Sequence, residues 1–203
     1  MNIGIVRYNT GQFFRFYIFC RRILFMTALI LCSVLILLVM AVSASADENY
    51  SEDIVSEIRG FLIDDDWKFD FDEEKGIFRF GVNIDGKMKH VNYFVPVRDD
   101  SYIVYAISPV SADSDDPQVM NAIAEFTCRA NYGLRNGNFE VDMRDGEIRY
   151  KVFVDCDGVI PSKEVIRGSI IIPAMMFERY SPGILDVIFK GSSAAEAIEQ
   201  CEN

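Results

Sequence analysis

The stretch NYGLRNGNFEVDMRDGEIRYKVFVD, residues 131–155, decides the fold. Just before it, Val119, Ile123, Phe126 and Ala130 recur at i, i+4, i+7 and i+11, one face of an α-helix. Asp116 can cap that helix and Pro117 suits its first position. Gly133 weakens the helix and Asn136-Gly137 is expected to end it. The period then changes to two. NFEVDMR places Phe139, Val141 and Met143 on one side, and EIRYKVFVD does the same with Ile148, Tyr150, Val152 and Val154, with Asp145-Gly146 turning between them. A helix feeding straight into a hairpin of the same sheet must lie across the sheet's apolar face, so both stripes bury in one two-layer core.

Upstream, Ser51 caps a helix carrying Ile54, Ile58, Phe61 and Leu62. Four alternating segments follow: WKFDF, IFRFGVNI, MKHVNYFVPV and SYIVYAIS. Asp85-Gly86 reads as a two-residue turn between the second and third, because glycine tolerates positive φ. Downstream, Ser162 caps a helix with Val165, Ile166 and Ile170 facing inward, and Pro173 is expected to kink it or split it in two. The later piece is expected to end at Gly191, and Ser193 to Glu196 forms a capping box for a short last helix. The fold class is α+β: an antiparallel sheet of about six strands, in the order α-β-β-β-β-α-β-β-α, covered on one face by helices.

The first 46 residues are different in kind. They hold Arg7, Arg15, Arg21 and Arg22 and no acid, and residues 23–42 form twenty uncharged positions. Such a helix rises about 30 Å, enough to span a bilayer core. Ala44-Ser45-Ala46 before Asp47 resembles a signal-peptidase site. A cleaved signal peptide explains the cut site, and a retained anchor explains the length, so both stay open. Each places residues 47–203, the second domain, outside the cytoplasm, in the periplasm, the envelope or the medium. Cys32 follows Leu31, so a lipid-modification box is not expected.

Without residues 1–46 the chain keeps 31 acids against 16 bases, a net charge of −15. That surface repels phosphate backbones and anionic headgroups, which argues against nucleic acid, and it suits solubility or basic partners. Three cysteines remain: Cys128, Cys156 and Cys201. An oxidising compartment would permit a Cys128–Cys156 bridge and leave Cys201 odd; three idle thiols are the other reading.

Four segments carry a family resemblance: FLIDDDW, SYIVYAISPV, IAEFTCRANYGLRNGNFEVDMRDGEIRYKV and ERYSPGILDVIFKGSSAAEAIE. Together they resemble the YbjN-like family, whose fold is similar to type III secretion chaperones. Asn131 closing the long helix, Gly137 with Phe139, the Asp145-Gly146 hairpin and Tyr150 fall in family order, and the likeness covers about residues 52–199. It implies a helix-covered sheet and a non-enzymatic regulator or adaptor. The secretion chaperones of this fold are dimers that bind extended partner segments in the cytoplasm. This chain departs in carrying an export leader, and the resemblance transfers no binding residue.

Chemistry is sparse in the sequence. His90 lies on the strand face opposite Val91 and Tyr93, so a surface position is expected, and one histidine with distant thiols supplies neither a zinc site nor a nucleophile's base. Asp155, Asp157, Gly158, Ile160 and Glu164 fall at calcium-loop positions, but Phe153 occupies the first ligand position and a strand precedes the loop. The acids Asp70, Asp72 and Glu74 read as solvated strand and turn residues. No catalytic, cofactor or metal residue is assigned. Phe94 and Phe153 point away from the apolar faces of their strands, so the second sheet face either takes a partner or lies under the C-terminal helix. The expected function is a non-enzymatic exported interaction module, chaperone-like or a regulatory adaptor, with a protein partner or a homodimer. The alternatives are a membrane-tethered sensory domain and an envelope metal-dependent hydrolase.

Overall fold

The computed structural model describes residues 50–203. Helix α1 (Glu52–Asp64) leads into β1 (Phe69–Asp72), β2 (Ile77–Asn83), β3 (His90–Pro96) and β4 (Ser101–Ile107). Then come α2 (Pro117–Asn131), β5 (Asn138–Val141), β6 (Ile148–Asp155), α3 (Lys163–Lys190) and α4 (Ala194–Glu202). The six strands form one antiparallel sheet in the order β1-β2-β3-β4-β6-β5. No helix among the described residues is long and apolar enough to cross a membrane. The expected leader, with residues 23–42 and the cut expected after Ala46, lies outside the described residues.

The core is the face predicted from period two. Phe78 and Phe80, Val91, Tyr93 and Val95, Tyr102, Val104 and Ala106, Phe139, and Ile148, Tyr150 and Val152 are buried on it. Helix α3 lies against this face: the Tyr93 hydroxyl donates to the Ile170 carbonyl (2.8 Å), and the hydroxyls of Tyr102 and Ser169 pair at 3.0 Å. Each helix start follows from a cap. Ser51, Asp116, Ser162 and Ser193 all accept from backbone amides of the first turn, and the Ser193–Glu196 capping box is complete.

Four local expectations are corrected. Helix α2 stops at Asn131 rather than at Asn136-Gly137, because Tyr132 turns extended and Gly133 takes φ +84°. The β2–β3 connection is longer than two residues: the Ile84 amide donates to Lys89 O, and the chain between them buries Met88 beside Ile84 in the core. Burial of those two side chains outweighs the tighter Asp85-Gly86 turn. Helix α3 runs unbroken through both Pro173 and Pro182 to the left-handed Gly191. Apolar burial on both sides of Pro173, by Ile166 and Ile170 before it and Phe177, Tyr180 and Ile184 after it, outweighs the lost hydrogen bond. Lastly, Met143 lies beyond the end of β5, and it and Val165 are exposed, not on the core faces assigned to them.

Buried tyrosines tie the core to alkaline pH. Burial pushes the Tyr102 hydroxyl up to about 12, against the opposing Ser169 hydrogen bond, and burial likewise pushes Tyr150 up to about 12. Both stay neutral in the fold while their unfolded counterparts ionise near 10. Stability is therefore full below pH 10 and is lost as pH rises from 10 through about 12. Fluorescence of the lone tryptophan, Trp67, should follow this unfolding, and Tyr102→Phe should make the loss less steep. A stability flat across that window would contradict the assignment.

Candidate interaction surface

Alternation sends the other half of each strand to the opposite face, and the register aligns those side chains in rows. One row crosses the whole sheet: Asp70 beside Arg79, then Phe94, Tyr105, Lys151 and Asn138. At its centre the Phe94 and Tyr105 rings lie 6.4 Å apart. The Arg79 guanidinium sits over Phe94 at 5.5 Å, and Arg149 over Tyr105 at 4.3 Å. Ile103 stands next to Phe153 in the adjoining row, and Phe153 is 55% exposed. Phe94, Ile103, Tyr105 and Ile107 are each partly covered.

Ion pairs flank this strip. On the β1 side Arg79 reaches Asp72 at 3.6 Å and Asp70 at 4.0 Å. On the β5 side Glu140 receives Arg149 at 2.9 Å and Lys151 at 3.3 Å. Burial pushes the Glu140 carboxyl up, but hydrogen bonds and charge from Arg149 and Lys151 outweigh it and hold the group below the usual range. The strip is thus amphipathic, with flat rings and aliphatic side chains between fixed charges. Its pattern is carried by strand parity, which is why Phe94 and Phe153 were legible in the sequence. The C-terminal helix α4, expected as one cover for this face, packs instead on α3 and α2, and α3 itself lies on the other face.

The sheet's two edges are unlike. On β5 the side-chain amide of Asn131 accepts from Phe139 N (2.7 Å) and donates to Phe139 O (2.9 Å), standing where a seventh strand would. On β1 no described residue pairs with the outward backbone groups. The signal for Asn131 was its place at the helix end; its partner, eight residues on, was not legible.

The other sequence candidates resolve as local structure. His90 is exposed at the start of β3. Asp155 Oδ1 accepts from Asp157 N (3.0 Å), Gly158 takes φ +70°, and Glu164 sits in the first turn of α3, so this segment is a strand-to-helix turn. Asp72 pairs with Arg79 and Lys75, while Asp70 is exposed. Among the described residues no group of three or more His, Cys, Asp or Glu side chains converges to hold a metal ion. Cys128 is exposed, Cys156 buried and Cys201 half-buried, all as free thiols, and burial raises the Cys156 and Cys201 thiols above their ordinary value. A scan against protein-family models gave no match to this chain, and a search of curated proteins gave none either.

Proposed function

We propose that residues 47–203 form an exported, non-enzymatic interaction module that docks a protein partner on the open face of its sheet. The observation that carries this reading is the aromatic strip of Phe94, Tyr105 and Phe153, with Ile103 and Ile107, on the face opposite α3. Partly exposed rings gathered on a rigid sheet offer large contact area at little entropic cost, the usual make-up of a protein-binding anchor. The flanking ion pairs would form the polar rim. The resemblance to YbjN-like proteins supports an adaptor or chaperone-like role, and the leader supports a place beyond the cytoplasmic membrane, anchored or released. The strip gives this reading preference over an envelope hydrolase.

Phe153→Asp tests it, because an exposed ring is replaced without disturbing the core. Native mass spectrometry of the full-length product, taken from membrane and soluble fractions of producing cells, should show a wild-type complex with a second polypeptide. The variant should be recovered alone, with its thermal midpoint within about 2 °C of wild type. A wild-type product recovered bare, or a complex indifferent to Phe153→Asp, would contradict the proposal.

A further inference from the structure

The two sheet edges differ in a way that names a second binding site. Just past β2, the Ile84 amide bonds to Lys89 O, so even-numbered residues of β2 face β3 and odd-numbered ones face β1. Arg79 and Ile77 therefore bond to Asp70 and Asp72, their register partners. Phe69 and Phe71 are left to direct their N–H and C=O groups away from the sheet, and no described residue bonds to them. The same logic at the far edge, where the Asp142 amide bonds to Glu147 O, turns Phe139 outward, and there Asn131 closes it. Among the described residues the β5 edge is closed at Phe139, whereas on the β1 edge the Phe69 and Phe71 groups take no bond and the nearest cover is the Tyr50 hydroxyl on Glu73 O (2.8 Å), just past the strand.

We infer that the β1 edge accepts an added antiparallel strand from an extended protein segment that alternates basic and apolar residues. The occupant follows from the side chains flanking the bare groups. Phe69 and Phe71 lie on the helix-covered side of β1, paired with the core residues Phe80 and Phe78, and ask for apolar neighbours. Asp70 and Asp72 lie on the open side and ask for basic ones; the Asp70 side chain is 80% exposed and reaches Arg79 only at 4.0 Å. Residues 64–74 hold seven acids and one base, Lys68, so the surroundings favour the same charge. They also disfavour a second copy of this chain. Pairing β1 with β1 would set carboxylates against carboxylates across the new ladder, between domains that each carry −15. The inference goes beyond the open face, since it stands on backbone groups at the rim of the sheet.

The test uses the full-length chain in non-ionic detergent and a short fluorescent peptide alternating lysine and valine. In the antiparallel arrangement the valine amides face β1 and the lysine amides face water. Fluorescence anisotropy should show binding of the plain peptide. N-methylation of the valines should weaken it about tenfold or more, the loss of one or two backbone hydrogen bonds, while N-methylation of the lysines should change it by less than about twofold. Replacing lysine by glutamate in the peptide should abolish binding, and Asp70→Lys in the protein should weaken it about threefold or more. Phe153→Asp should leave it unchanged. The inference is overturned if the plain peptide does not bind, or if valine-methylated and plain peptides bind alike. Loss with Phe153→Asp would equally overturn it, placing the peptide on the open face, and unaltered binding to Asp70→Lys would overturn the basic assignment.

Discussion

Phe139→Ala is expected to destabilise the domain by about 4 kcal/mol, the upper range for emptying a buried aromatic site. Phe139 is 2% exposed and belongs to a strand of only four residues, yet it joins three elements. Its ring meets Tyr150 edge-on at 4.9 Å within the sheet, and Phe177 and Tyr180 of α3 at 5.5 Å each, with interplanar angles of 78° to 88°. Edge-to-face pairs add about 0.5–1.5 kcal/mol beyond simple burial. Alanine removes all three contacts and leaves a cavity between sheet and helix that neither layer can close alone. Phe139→Leu refills most of the volume and should cost about 1.5–2 kcal/mol. Urea unfolding followed by Trp67 fluorescence measures both. A loss under about 1 kcal/mol for the alanine variant would mean that α3 is held elsewhere.

Gly146→Ala is expected to cost about 3 kcal/mol, from a left-handed backbone and a collision together. Gly146 has φ +75°, and a Cβ there would run into the carbonyl of Ala112. Ala112 is itself buried, and its amide donates to Gly146 O at 3.0 Å, so the β5–β6 turn and the loop before α2 hold each other by backbone contact. Gly158→Ala isolates the conformational part. Gly158 has φ +70° with nothing within 4 Å of its Cβ position, so that variant should lose only about 1 kcal/mol. Equal losses at the two positions would remove the loop contact from the account.

Period two and helix caps carried most of this fold into the sequence, because both are local. Alternation across β2, β3, β4 and β6 fixed which side chains share a face, and hence that Phe94 and Phe153 would leave the core. Ser51, Asp116, Ser162 and Ser193 marked every helix start among the described residues, since a cap bonds within its own first turn. What was not legible depends on partners distant in the chain. The continuity of α3 through Pro173 rests on burial against the sheet and on Tyr93, 77 residues before the carbonyl it reaches at Ile170. The length of the β2–β3 connection rests on core space for Ile84 and Met88. The closure of β5 at Phe139 rests on Asn131 meeting it, and the outward groups of Phe69 and Phe71, unbonded among the described residues, are visible only once the ladder parity is known.

The proposal that the open sheet face holds a partner is tested most directly by photo-crosslinking in producing cells. A photoreactive residue replaces Phe153 on that face in one strain, and in another Phe189, 69% exposed on α3. The account predicts a defined adduct to the same polypeptide, identified by peptide sequencing, from position 153 and none from position 189. No adduct from position 153, or the same adduct in equal yield from both, would contradict it.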